Sequence, residues 1–280
     1  MDKDAPATKL PLVSFDFSPF EAVLVDLDGT LYREDQALPG ALELVRMLLA
    51  QERKFVCLSN GTQNSSHVVQ RLQKMGMDVS PGHVYTAAEA AAEYVLEHFT
   101  PTAPNGKPRV FNLATSGIQE MLAGKVTWVW SDAQPCDVVV AGNPAALYVT
   151  IDRMQIAMRL VRNGAALVGI CADRAYPGAA GMEIGTGAMT SMLAYAANAQ
   201  PVFFGKPQER FFRHVSDRLH TTPERCVMIG DSLESDIAGA KALNMHTVLV
   251  LTGVARPSDV EKLSPAQKPD MVVETLRDLL

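Results

Sequence analysis

Short apolar runs recur along the chain, and several stop abruptly in small polar or acidic residues. The first is Ala22-Val23-Leu24-Val25, whose unbroken apolarity predicts a strand buried on both faces, as in a parallel sheet. It ends in Asp26-Leu27-Asp28-Gly29-Thr30. Pro39-Gly40 opens a helical stretch over residues 41–51, with Leu42, Val45, Leu48 and Leu49 on one face. Phe55-Val56-Cys57-Leu58 is a second buried strand and ends in Ser59-Asn60-Gly61-Thr62. A second helix is expected over residues 63–75, with Val68, Val69 and Leu72 inward and Gly76 as its stop. This β-α-β-α order is that of a parallel sheet, and consecutive parallel strands present their ends on one edge.

The texture changes near Thr86. An alanine-rich helix is expected over residues 87–98, then a Pro/Gly/Asn stretch over 100–108. A second α/β pattern follows, with strands at 110–113, 126–130, 137–141 and 165–171 and helices through Met121 and over 151–163. Trp128 and Trp130 alternate on the strand at 126–130, so they should share a face used for core packing or a subunit contact. A Gly-rich loop over 178–187 leads to a helix ending near Asn198. The first texture returns at Pro201: Val202-Phe203-Phe204 reads as a strand ending in Gly205-Lys206-Pro207, followed by a helix over 209–219. Cys226-Val227-Met228-Ile229 ends in Gly230-Asp231, with Asp236 five residues on. A helix over 237–243, a strand over 248–251 ending in Thr252-Gly253, a short strand at 271–273 and a terminal helix complete the pattern. The expected fold is α/β. A Rossmann-like core of parallel sheet and flanking helices spans residues 19–85 and 200–280. A second α/β domain, residues 86–199, is inserted into it, and residues 1–18 form a loosely attached arm.

Composition narrows the function. The chain has 280 residues, 48% hydrophobic and 20% charged, with a formal net charge of −6. That balance fits a globular protein and argues against nucleic acid as a partner. Cys57, Cys136, Cys171 and Cys226 are far apart with no CxxC pair, and read as reduced thiols of a cytoplasmic protein. No apolar run has the length of a membrane span, and the first ten residues lack an apolar signal core.

The chemistry lies at the strand ends. Asp26, Asp28, Ser59, Asn60, Lys206, Asp231 and Asp236 all follow apolar runs, and parallel strands would gather them on one edge, where open α/β sheets bind ligands. Singly, each has a plainer explanation: Asp-Gly as a turn, Ser-Asn as a helix cap, Gly-Lys-Pro as a loop. Together, oxygen-only carboxylates suit a hard cation, Mg²⁺, and an ammonium with hydroxyl and amide donors suits an anion. The set specifies phosphoryl transfer. A nucleotide-binding dehydrogenase is disfavoured because no Gly-x-Gly-x-x-Gly follows the first strand, and the mid-chain Gly-rich loop lacks the lysine-serine end of a P-loop.

These residues resemble the haloacid-dehalogenase-like phosphohydrolases, and within them the class IIA, NagD-like and p-nitrophenyl-phosphatase-like group. Its four motifs correspond to Asp26 through Thr30, Ser59-Asn60, Lys206, and Gly230-Asp231 through Asp236, and the insertion matches a C2-type cap. Asp173 and Gly185-Thr186-Gly187 are similar to cap segments of the group, although Ile170-Cys171 stands where Thr-Asn is common. The resemblance implies a Mg²⁺-dependent phosphatase acting on a small-molecule phosphomonoester, such as a sugar phosphate, nucleotide or cofactor phosphate. Asp26 would be the nucleophile and Asp28 the acid and base. Asp26, Asp231 and the main-chain oxygen of Asp28 would hold the metal, with Asp236 in support. Ser59, Asn60 and Lys206 would bind phosphate, and Asp173 and Arg174 would orient the leaving group. A homodimer through the cap is a further expectation, and a catalytically idle scaffold of the same fold, binding or regulatory, is the alternative.

Overall fold

The computed structural model describes residues 15–143, 149–178 and 181–280. Residues 1–14 of the expected N-terminal arm lie outside the described residues. The chain begins with β1 (Ala22–Asp26), the small hairpin β2 (Tyr32–Arg33) and β3 (Gln36–Ala37), α1 (Ala41–Ala50), β4 (Lys54–Ser59), α2 (Ser65–Lys74), β5 (Val84–Thr86) and α3 (Ala87–Phe99). Next come β6 (Arg109–Leu113), α4 (Ser116–Leu122), β7 (Thr127–Trp128), β8 (Val138–Ala141), α5 (Ile151–Arg162), β9 (Ala166–Gly169), β10 (Ala175–Gly178), β11 (Gly181–Ile184) and α6 (Thr186–Ala197). The last part contains β12 (Val202–Phe203), α7 (Glu209–Arg218), β13 (Cys226–Gly230), α8 (Ala238–Lys241), β14 (His246–Val250), α9 (Pro257–Glu261) and β15 (Met271–Val273).

A six-stranded parallel sheet runs in the order β15-β14-β13-β1-β4-β5. The chain steps from β1 to β4 on one side, while β13 joins on the other. β1 therefore stands at the point where strand order reverses, which is where such sheets open a crevice. A second parallel sheet runs β12-β9-β8-β6-β7.

Alternation along β1 separates two cores. Val23 and Val25 pack with Leu44, Val45 and Leu48 of α1 and with Val69 and Leu72 of α2. Ala22 and Leu24 face the other way, into a cluster containing the alanines of α3 and Phe211, Phe212 and Val215 of α7. That same cluster continues to Val110, Val138, Val140 and Val168 of the second sheet, so α3 helps join the two sheets. Its small side chains permit close approach at no cost in helix propensity. Its start is fixed by a capping box, in which the Thr86 hydroxyl accepts from the Glu89 N–H and the Glu89 carboxylate accepts from the Thr86 N–H, both at 3.1 Å. The far face of the second sheet, with Phe111, Val139 and Leu167, is covered by Ala157, Leu160 and Val161 of α5 and by Met189 and Leu193 of α6. Among the described residues, no helix is long and apolar enough to cross a membrane.

Four local expectations need correction. The strand before Lys206 was expected in the first sheet, but β12 pairs with β9, Val202 opposite Val168 and Phe203 opposite Gly169. The glycine makes this possible, since a Cβ there would lie 2.6 Å from the Phe203 ring. Residues 175–178 and 181–184, read in part as a Gly-rich loop, form an antiparallel pair. Trp128 is partly buried against the α3 cluster whereas Trp130, beyond the end of β7, is 54% exposed, so the two do not share a strand face. The expected terminal helix is a single 3₁₀ turn, Leu276–Leu279.

Candidate active site

β1 lies between β4 and β13 in near-level register, Asp26 opposite Leu58 and Val25 opposite Ile229. Their carboxyl ends bring Asp26, Ser59 and Asp231 to one edge, and all three are buried. Beyond β1 the chain turns back at once. The Leu27 carbonyl accepts from the N–H groups of Thr30, Leu31 and Tyr32 at 3.2, 2.8 and 3.1 Å. Gly29 adopts φ +86° in this turn, and a Cβ on it would lie 2.5 Å from Asp231 Oδ2, so only glycine meets both demands.

Lys206 enters from the segment after β12 and is 2% exposed. Its ammonium donates to Asp26 Oδ1, lies 2.8 Å from Asp236 Oδ1 and reaches the Leu58 carbonyl at 3.4 Å. Its backbone is held by Asn60, whose Oδ1 accepts the Lys206 N–H at 2.7 Å and whose Nδ2 donates to the Lys206 carbonyl at 3.0 Å. The same Nδ2 donates to both oxygens of Asp173, at 3.0 and 3.1 Å. Asp173 also accepts from the Cys171 thiol at 3.3 Å. Ser59 Oγ accepts the Gly61 N–H at 2.9 Å. Arg174 is exposed.

Electrostatics follow from this crowding. Burial, then the nearby Asp26 and Asp236, push the Asp231 carboxyl above its ordinary range against the opposing Val254 N–H and Lys206. Burial also raises Asp236, with Lys206 pulling it back and Asp26 pushing it further up. Burial alone would lower the Lys206 ammonium, but Asp236 and Asp26 override it and the group stays charged. The Asp28 side chain reaches solvent, yet the surrounding protein strips enough water from it to raise its carboxyl, and Asp26 adds to the effect; Arg71, Tyr32 and Lys206 oppose it. Burial, followed by Asp28, drives the Tyr32 phenol far above its usual range, so Tyr32 remains a donor.

Carboxylate oxygens of Asp26, Asp231 and Asp236 lie within 4.8 Å of one another. Asp26 Oδ2 is buried without a hydrogen-bond partner. Three carboxyl groups thus crowd one ammonium in a desolvated space. An oxygen-only set of this kind fits a hard divalent cation. The Asp28 side chain is not among the three.

The family model for haloacid dehalogenase-like hydrolases matches residues 23–125, and a HAD-hydrolase-like model matches residues 203–279. The acid sugar phosphatase of Staphylococcus saprophyticus is 30% identical over 88% of this chain and 92% of its own. The chain belongs to the haloacid dehalogenase-like hydrolase family. Within it, the chain is one of the class IIA, NagD-like and p-nitrophenyl-phosphatase-like group. The structure of 4-nitrophenylphosphatase from Thermotoga maritima is similar with a TM-score of 0.83 and 29% identity, covering 94% of this chain and 97% of that one. Glycerol phosphate phosphatase from Mycobacterium tuberculosis, solved in complex with magnesium, is similar with a TM-score of 0.81 and 26% identity, covering 94% and 77%.

In this hydrolase, Asp26, Lys206, Asp231 and Asp236 form one contact network, with Ser59 and Asn60 at its margin and Asp173 attached through Asn60. Sequence reasoning missed three contributors. Tyr32 donates to Asp28 Oδ2 at 3.2 Å. The Val254 N–H donates to Asp231 Oδ2 at 2.7 Å, and Gly253 leaves room for it, since a Cβ there would overlap the Asp231 carboxylate. The Thr252-Gly253 strand end was the available signal for the last two. Nothing local marked Tyr32.

Proposed function

We propose that this protein is a Mg²⁺-dependent phosphatase that hydrolyses a small phosphomonoester through an aspartyl-phosphate on Asp26. Its membership of a phosphatase group supports the reaction class. The observation that carries the mechanism is Asp26 itself, with one oxygen paired to Lys206, the other buried without a hydrogen-bond partner, and the residue clustered with Asp231 and Asp236.

An Asp26 carboxylate oxygen attacks phosphorus as the bond to the leaving oxygen breaks. Asp28, whose carboxyl burial and the neighbouring Asp26 hold above its ordinary range, delivers a proton to the leaving oxygen. Asp28 then removes a proton from water as the water oxygen attacks phosphorus. The Asp26–phosphorus bond breaks and inorganic phosphate is released. Lys206 and Ser59 hold phosphoryl oxygens, and Lys206 also pairs with Asp26. Asp26, Asp231 and the main-chain oxygen of Asp28, with Asp236 in support, would hold Mg²⁺, which would supply charge neutralisation at the phosphoryl group. Sugar and polyol phosphates head the substrate class, by likeness to the acid sugar phosphatase and the glycerol phosphate phosphatase.

Phosphate release should be measured over a panel of phosphomonoesters, with Mg²⁺ and with EDTA. Activity should vanish in EDTA and return with Mg²⁺. Asp26→Asn should lower kcat by more than about a hundredfold, roughly 2.7 kcal/mol of barrier, with an unchanged melt. Activity unaffected by chelation removes the metal from the mechanism, an active Asp26→Asn removes the nucleophile, and no release from any ester favours the idle scaffold.

A further inference from the structure

Asp28 must present a proton to a leaving oxygen, yet its side chain reaches solvent and would sample several rotamers if left alone. Among the described residues its side chain has one hydrogen-bond donor, the Tyr32 hydroxyl, at 3.2 Å from Oδ2. Tyr32 is well built for holding it. The turn after β1 folds Tyr32 back beside Asp28, and the Gly29 N–H donates to the Tyr32 carbonyl at 2.8 Å. The ring is 2% exposed and packs into the apolar cluster under α1 and α2. Its other face is covered by Arg71 of α2, whose guanidinium carbon sits 4.5 Å from the ring centroid. Arg71 in turn grips the β2–β3 hairpin, donating to Asp35 Oδ1 at 3.1 Å and to the Glu34 carbonyl at 2.5 Å. The phenol is thus held by the turn, the apolar cluster and Arg71, with its hydroxyl donating to Asp28.

We infer that Tyr32 is a positioning residue for proton transfer, holding Asp28 Oδ2 so that Oδ1 is turned over to the leaving group. This rests on the proton-donor role proposed for Asp28. When Oδ1 gives up its proton to the leaving oxygen, the carboxylate that forms keeps a hydrogen bond already in place, so the donor need not reorganise. The benefit depends on the leaving group. An alkoxide needs its proton early, whereas p-nitrophenolate departs with little help.

Tyr32→Phe keeps the ring, its burial and the Arg71 contact, and removes only the hydroxyl. In Mg²⁺-loaded enzyme, kcat/KM for glycerol phosphate or another alkyl phosphate that the wild type turns over should fall about tenfold, the worth of one hydrogen bond to a charged group. For p-nitrophenyl phosphate it should fall less than about threefold. KM for both should stay within about twofold. Asp28→Asn serves as reference, with a still larger alkyl-selective loss. Adding Tyr32→Phe to Asp28→Asn should cost nothing more, because the hydroxyl acts only through Asp28. Equal losses on the two esters, no loss on the alkyl ester, or full additivity in the double variant would overturn the role of Tyr32 while leaving that of Asp28 intact. An Asp28→Asn enzyme without leaving-group selectivity would instead overturn the proton-donor reading itself, and with it the inference. A thermal melt of Tyr32→Phe within a few degrees of wild type should accompany the expected result, and an alkyl-selective loss is one that general loosening of the fold would not produce.

Discussion

Replacing Lys206 with methionine tests the electrostatic account of the site without relying on turnover. Lys206 sits at 2% exposure between Asp26 and Asp236, which are 7% and 0% exposed. Methionine fills a similar volume but leaves two buried carboxylates without their cation. Breaking a buried ion pair by removing one partner costs about 3–5 kcal/mol, chiefly through the charge left behind. For a chain of this size that is a fall in melting temperature on the order of 10 °C. The measurement is urea or thermal unfolding in EDTA. Adding Mg²⁺ should then stabilise Lys206→Met more than wild type, because carboxylates freed of the lysine attract the cation more strongly, and ligand stabilisation grows with affinity. Adding Asp236→Asn to Lys206→Met should recover part of the loss, since it removes one of the stranded charges. A loss below about 1 kcal/mol in EDTA, or equal stabilisation of both proteins by Mg²⁺, would refute the reasoning, because the carboxylates would then not depend on the lysine.

Asp173 accepts two hydrogen bonds from Asn60, so Asp173→Ala should lower kcat/KM for p-nitrophenyl phosphate and for a hydroxyl-bearing alkyl phosphate together, by about three- to fifteenfold; a loss confined to the alkyl ester would make Asp173 a leaving-group contact instead. Asp137, outside the site, accepts from the Arg109 side chain at 3.1 Å and from its N–H at 2.7 Å, and these bonds hold its carboxyl below the ordinary range despite partial burial. A depressed folded value means that the stabilisation is complete above the unfolded value, about 3.9, and is lost as pH falls through the folded one. Asp137→Asn should therefore be about 1–3 kcal/mol less stable than wild type at pH 7 in urea titrations, with the gap closing below about pH 4; a gap independent of pH would count against the ion pair. Gly29→Ala meets both a φ of +86° and Asp231 Oδ2 at 2.5 Å, so phosphate release should drop at least tenfold, roughly 1.4 kcal/mol, and unchanged activity would show that the turn tolerates a side chain.

Local pattern was enough for much of the frame. The apolar runs of β1, β4 and β13 each lie within a strand buried along nearly its whole length, so hydrophobicity alone reports them. Helices α1, α3, α5, α6 and α7 carry their own periodicity or composition, and each begins within two residues of where it was expected. Because parallel strands share a direction, residue order along the chain also implied that Asp26, Ser59 and Asp231 meet on one edge. What local pattern does not carry is which distant segment each group meets. β12 is two residues long, too short for any pattern to name its sheet, and its partner was settled by the space that Gly169 leaves for Phe203. Asn60 and Asp173 are 113 residues apart and are joined only because the two sheets pack through α3. Tyr32 looks in sequence like any aromatic after a turn, and its hydroxyl gains a role only when the turn after Leu27 folds it back onto Asp28. Burial and periodicity are properties of a segment and its nearest neighbours, so the sequence determines them; a hydrogen bond across the molecule depends on how complete elements pack, and only the tertiary structure decides it.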